Sequence, residues 1–261
     1  MKYKTNAKYL CISAASITTV LLFWWFMTDI LEFTSPTTLP SPVLVVKSFI
    51  KKLYDINPDG ATLLQHLYSS LQVALSGYLI AVLIGVPLGI AMAWSKYVDY
   101  FVTPLFDLLR PIPGLAWIPL MIILFGIGLL SKAMVIFLSA FVACVVNSYA
   151  GVKNTRPVHL WVGSTFGASR FQLLTRIAIP TALPLIFTGL KVALGASWNA
   201  LIAAELLASM RGLGFMIEQA RGLYRPDIII VGMIAIGIVG AILAFLIGQA
   251  ERYVIGGSRQ E

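Results

Sequence analysis

The chain has 261 residues, 59% of them hydrophobic and only 11% charged, with 19 Lys and Arg against 11 Asp and Glu. A soluble domain carries roughly twice that charged fraction, and a mean hydropathy of +0.88 excludes a water-soluble globule in favour of a polytopic membrane protein. The formal net charge of +8 contains no dense Lys/Arg run and sits at the edges of apolar stretches, which fits membrane topology and argues against nucleic acid as a partner.

A hydrocarbon core takes roughly 20 apolar residues as helix. Six segments qualify: 9–30, 67–94, 104–126, 132–152, 183–208 and 228–250. The expected fold is therefore all-α, one transmembrane domain over 1–261, with an N-terminal helix at 9–30 and a core bundle at 64–250. The first segment exceeds an ordinary signal-peptide core of about 7–15 residues, and no small-x-small site follows before Pro36, so a retained span is expected. Cys11 and Cys144 lie in apolar stretches without a CxxC motif or a neighbouring His and read as buried small hydrophobes.

With both termini in the cytoplasm, Lys2, Lys4, Lys8, Lys96, Lys153, Arg156, Arg170, Arg176, Arg252 and Arg259 fall inside. Lys47, Lys51, Lys52, Lys132, Arg211, Arg221 and Arg225 fall outside, a bias of 10 to 7 that satisfies the positive-inside rule by a thin margin. In the outer segment, Pro36, Pro40 and Pro42 favour extended chain. Residues 43–54 then predict an interfacial helix with Lys47, Lys51 and Lys52 turned to water.

The chain has no GxxxxGK[ST], HExxH or GxSxG motif and no paired carboxylates, and its two histidines, His66 and His159, have no second ligand type nearby in sequence. No catalytic residue, metal site or cofactor is expected in this chain.

In the third span Asp107-Leu-Leu-Arg110-Pro111-Ile-Pro113-Gly114 interrupts the helix. Broken backbone at membrane depth survives only against protein or a water-filled cavity. Arg110 at that break either serves a pathway or snorkels to the interface and pairs with Asp107. The fifth span carries Ala196, Ala200, Ala204 and Ala208 four residues apart, beside Gly189, Ala193 and Ser197, and the second span carries Gly85 and Gly89. Such stripes let helices approach closely. Lys191, Trp198, Asn199 and Glu205 are the polar content of that fifth span and tentative pathway residues, interhelical hydrogen bonding being the rival role; Arg110 with Lys191 would favour an anionic passenger.

The longest polar interruption between the start of the second apolar span and the end of the last, 153–184, predicts a short helix at about 164–179 stopped by Pro180, with Phe166, Leu173, Leu174 and Ile177 on one side and Arg170 among them. A one-sided helix suits docking better than a passive loop. Its sequence GASRFQLLTRIAIPTALPLIFTGLKVALG resembles the cytoplasmic signature loop of binding-protein-dependent ABC importer permeases. SLQVALSGYLIAVLIGVPLGIAMAWS, RPIPGLAWIPLMIILFGIGLLSK, ALIAAELLAS and RGLGFMI are similar to the taurine, aliphatic sulfonate and nitrate branch, over about 39–250.

The resemblance implies a type I importer permease, a homodimer in the bacterial inner membrane bound by two ATPase subunits that hold ATP and magnesium. A solute-binding protein on the outer side would deliver a small solute, moved by alternating access. It further implies that Gly167, Ala168, Ser169, Arg170 and Phe171, with Ile177 and Pro180 closing the motif, couple to the ATPase through the loop at 153–182. Trp161-Val162-Gly163 stands where the pattern has Glu-Ala-Ala, so no carboxylate is offered there. The rival reading, an ion-coupled secondary transporter without an ATPase, calls for paired intramembrane carboxylates and inverted repeats; Glu205 is the one embedded carboxylate and no repeat is evident.

Overall fold

The computed structural model describes residues 7–257, with side chains described for 11–207 and 209–256. The expectations placed on Lys2, Lys4 and Arg259, and on the Lys8 side chain, lie outside the described residues. Every regular element among the described residues is helical. α1 (Ala7–Trp25) runs through a π-helical turn to Ile30. Its apolar stretch is not buried by the rest of the chain; one tie is the Trp24 indole, which donates to the Pro40 carbonyl at 3.1 Å. Cys11 on this helix is therefore exposed and not buried as expected, whereas Cys144 is buried.

α2 (Pro42–Lys52) starts at Ser41, whose hydroxyl accepts from Leu44 N–H, with proline in the first turn where no donor is needed. Val45 and Phe49 pack on an apolar cluster containing Met216, Ile228 and Val231. Lys47 and Lys51 are exposed as predicted, but Lys52 is buried, because Asp59 supplies a counter-charge and the Asn57 carbonyl accepts a second bond at 3.0 Å.

α3 (Leu63–Trp94) opens on a reciprocal cap between Thr62 and Gln65. α4 (Lys96–Leu109) and α5 (Ile118–Phe125), separated by a 3₁₀ turn at Gly114–Trp117, meet at 79°. The expected single span at 104–126 is thus a bent pair, as the donor-less Pro111 and Pro113 require. α6 (Leu129–Lys153) follows. Gly77, Ala81, Gly85 and Gly89 recur every fourth residue on α3; a Cβ at Gly77 or Gly89 would come within 2.5 Å of an α6 backbone carbonyl. Helices without a water-driven incentive to associate are held by such close packing.

α7 (Pro157–Thr165) and α8 (Arg170–Leu173) flank a turn, and a π-helical turn (Leu174–Ala178) joins α8 to α9 (Ile179–Ala208). α10 (Leu213–Gly222) and α11 (Pro226–Gly257) complete the chain. Among the described residues, five helices, or six spans if the bent pair is one, are long and apolar enough to cross a membrane. α3, α6 and α9 form the centre, with Val135, Ile136 and Leu201 fully buried between them. One end of the bundle gathers the starts of α3, α6 and α11 with α10; the other carries the α7–α8 hairpin.

Candidate functional site

The hairpin end differs from the single helix predicted at 164–179. Gly167 has φ +78, a left-handed conformation suited to glycine, and it splits the segment into two helices. Ser169 caps the second, accepting from Gln172 N–H (3.3 Å) while Gln172 Oε1 accepts from Ser169 N–H (2.8 Å). Pro180 does not stop this helix. It falls in the first turn of α9, after a π-helical turn that re-registers the backbone bonds, and the helix runs on for 38 residues from Arg170 to Leu207. Leu173 is buried and Ile177 half-buried beneath Gly163, where a Cβ would meet both side chains below 2.8 Å. The glycine that replaces the expected triplet's last alanine thus allows α7 to close onto α8.

The tip is apolar and open: Trp161, Phe166 and Phe171 are all exposed, Phe171 at 73%. Arg170 is exposed and lines a cavity with Trp94, Lys96 and Tyr97.

The predicted pathway residues separate into two groups. Thr188, Lys191, Gly195 and Asn199 are exposed at intervals of three or four residues, one open polar stripe along α9. Lys191 is paired with Glu251 of α11. Arg110 is exposed at the end of α4, on a cavity of about 170 Å³ shared with Asp99, Asp107 and Tyr149. Trp198 and Glu205 instead point into the bundle. The Trp198 indole donates to the Ile236 carbonyl at 3.2 Å. The small residues Gly189, Ala193, Ser197, Ala200 and Ala204 are buried inside the chain's own bundle.

Glu205 belongs to a buried polar network at the α10 end. Three successive amides at the start of α10 each find a side-chain acceptor: Gly212 N–H donates to His66 Nδ1 (3.1 Å), Leu213 N–H to Ser70 Oγ (2.8 Å), and Gly214 N–H to Glu205 Oε2 (2.9 Å). Ser70 Oγ in turn donates to the Glu205 carboxylate at 2.8 and 2.9 Å. A carboxylate against the first amides of a helix also meets the positive end of its dipole. Lys132, buried at the start of α6, donates to Ser209 Oγ at 2.9 Å and is within electrostatic reach of Glu205.

His66 Nε2 lies 3.3 Å from Asp59 Oδ2, an ion-pair distance in a geometry short of a hydrogen bond. Burial raises the Asp59 pKa, but His66 and Lys52 together outweigh it and hold the carboxyl below its ordinary value.

Sequence reasoning gave no site role to Lys52, Asp59, His66, Ser70 or Lys132. The only signal was indirect: charged or titratable residues at the ends of apolar spans on the same side of the bundle, with the Gly212-Leu213-Gly214 turn between two helices. Among the described residues, no three of His, Cys, Asp and Glu gather as metal ligands would.

The taurine transport system permease protein of Escherichia coli is 40% identical over 244 residues, 92% of this chain and 86% of that protein. The nitrate import permease protein of Synechocystis is 32% identical over 246 residues, covering 93% and 88%. The putative aliphatic sulfonates transport permease protein of Bacillus subtilis is 30% identical over 236 residues, covering 90% and 84%. A solved structure of the MetNI methionine ABC transporter, inward facing, aligns with a TM-score of 0.59 at 17% identity over 75% of this chain and 95% of that one, a likeness of fold. The family model for binding-protein-dependent transport system inner membrane components matches residues 85–256, and the chain belongs to that family.

Proposed function

We infer that this chain is the permease subunit of an ATP-driven importer that takes a small anionic solute of the sulfonate, taurine or nitrate kind into the cytoplasm by alternating access. As a member of its family it is a multi-pass, non-catalytic membrane component, and ATP hydrolysis belongs to separate ATPase subunits. The hairpin end faces the cytoplasm, as do both termini, and two ATPases holding ATP and magnesium dock there. A second copy of the chain covers the open stripe of α9, and a solute-binding protein delivers from the α10 end.

One observation carries this reading: the exposed hairpin is continuous with the central helix. Arg170 to Leu207 is one uninterrupted rod, about 57 Å at 1.5 Å per residue. A force applied at Phe171 is delivered to Lys191 and Asn199 along the same helix, and then to Glu205 under α10. Such a rod lets a partner's closure bias one packing of the bundle over another. Arg110, Lys191 and Asn199 are then the pathway residues, with Trp198 and Glu205 supporting them from inside. The relatives named for taurine, sulfonates and nitrate support a small anion as passenger.

The test is Gly167→Asp. The left-handed turn at Gly167 tolerates no ordinary side chain without strain, and a carboxylate there disturbs a docking tip but nothing in the bundle. ATP-dependent uptake in vesicles is expected to be lost while the subunit inserts and purifies normally. Uptake at the parent rate removes the hairpin from coupling.

A further inference from the structure

The α7–α8 hairpin and the α3–α4 corner enclose an open cavity of about 780 Å³ lined by Trp94, Ser95, Lys96, Tyr97, Tyr100 and Arg170. Lys96 and Arg170 are both exposed, and neither is in an ion pair or side-chain hydrogen bond among the described residues. The nearest acid on the same helix, Asp99, is engaged by Thr103 (3.0 Å), Tyr149 (3.1 Å) and Lys153 (4.0 Å). Two unanswered cations therefore share one cavity with three aromatic rings.

We propose that this cavity binds the headgroup of an anionic phospholipid, with Lys96 and Arg170 on the phosphate and the diacyl tail along α4. Basic pockets beside transmembrane helices take such headgroups, and Trp and Tyr concentrate at the depth where headgroups lie. The apolar run of α3 ends at Trp94, which itself lines the cavity. A free phosphate or a protein carboxylate would satisfy the cations alone. The apolar stripe beside them selects an amphiphile: Tyr97, Phe101, Leu105 and Leu108 recur every three or four residues on α4, and all are exposed. Head and tail surfaces adjoin on one helix. The assignment to the inner leaflet rests on the hairpin facing the cytoplasm, while the binding itself does not.

The experiment uses the full chain purified in neutral detergent, alone and with its ATPase partner, titrated with phosphatidylglycerol, phosphatidylcholine or inorganic phosphate and read by native mass spectrometry. Phosphatidylglycerol is expected to bind at least tenfold more tightly than phosphatidylcholine, and inorganic phosphate to leave its binding unchanged. A basic residue near an anionic lipid contributes on a scale that makes loss of two worth about 30-fold. The Lys96→Gln/Arg170→Gln double variant is expected to lose that affinity for phosphatidylglycerol. Equal affinity for both lipids overturns the proposal, as does competition by millimolar phosphate, which would make the site one for a free anion. Unchanged lipid binding with loss of the copurifying ATPase also overturns it, giving the two cations to protein docking. Orientation is read separately, from labelling of Phe166→Cys by a membrane-impermeant reagent in a chain with Cys11 and Cys144 replaced by serine.

Discussion

Replacing Gly212 by alanine isolates what the buried network contributes. Gly212 has φ +135 and ψ 168, a region open in practice only to glycine, and forcing another residue there costs about 1–3 kcal/mol. The added Cβ would also overlap the Glu205 carboxylate, meeting its carbon and both oxygens inside contact distance. That carboxylate has no free space, since it is 1% exposed and held by Ser70 Oγ and Gly214 N–H. Displacing it breaks at least one bond to a charged group, about 1.5–3 kcal/mol. The two costs together come to about 4 kcal/mol, which for a chain of this size lowers the thermal midpoint by roughly 10 °C.

A second substitution separates the contributions. In Glu205→Ala the space opposite Gly212 is empty, so Gly212→Ala should cost only its backbone strain. The double-mutant cycle, measured by thermal unfolding in detergent, should show a coupling of at least about 1.5 kcal/mol. Additive costs would mean that the Cβ never meets the carboxylate. A stable Gly212→Ala protein would refute the strain argument altogether.

Asp59→Asn should destabilise the α10 end by about 3–5 kcal/mol at neutral pH, because it leaves buried Lys52 without its counter-charge, a loss readable by thermal unfolding. The Asp59 pKa is depressed below 3.8, so its contribution is complete above that value and fades as pH falls through the lower folded pKa. The parent should accordingly lose stability below about pH 4, and Asp59→Asn should flatten that acid limb. Arg110→Ala should reduce transport several-fold with assembly of the ATPase intact; loss of assembly would make Arg110 a structural residue. Lys191→Met leaves Glu251 unpaired and should lower uptake, with Lys191→Met/Glu251→Gln recovering part of it if the pair serves packing and none if Lys191 meets the solute.

Six apolar segments and the helix-forming polar interruption at 153–184 could be read in the sequence because each rests on a local signal: length in hydrocarbon, or a break in the apolar run followed by one-sided spacing. What resisted reading were relations between distant residues. Lys52 looked like a water-facing lysine because Val45 and Phe49 set the helix face, while Asp59, which permits its burial, lies seven residues on in a loop. Pro180 looked like a stop because proline costs a helix about 3 kcal/mol in its interior, yet the π-helical turn before it removes the bond that proline cannot make. Glu205 and Ser70 are 135 residues apart; no periodicity within either helix announces that they meet.

On the proposed coupling route, the Glu205 network would act on transport through its place on the rod. Lys191 and Asn199 lie on the open stripe of α9, whereas Trp198 and Glu205 anchor the same helix to α11, α3 and α10. A helix pushed at one end transmits motion only if its far end is gripped. Without the grip, displacement at Phe171 would be lost in local repacking around Leu201. Glu205→Gln keeps one acceptor for Ser70 and Gly214 but removes the charge that answers the dipole of α10, so it should preserve the fold better than Glu205→Ala while loosening the grip. The consequence is a dissociation of two readouts: ATPase activity of the assembled complex maintained, and uptake per ATP reduced. A parallel fall of both would place Glu205 in the stability of the subunit and take it out of the transmission of force.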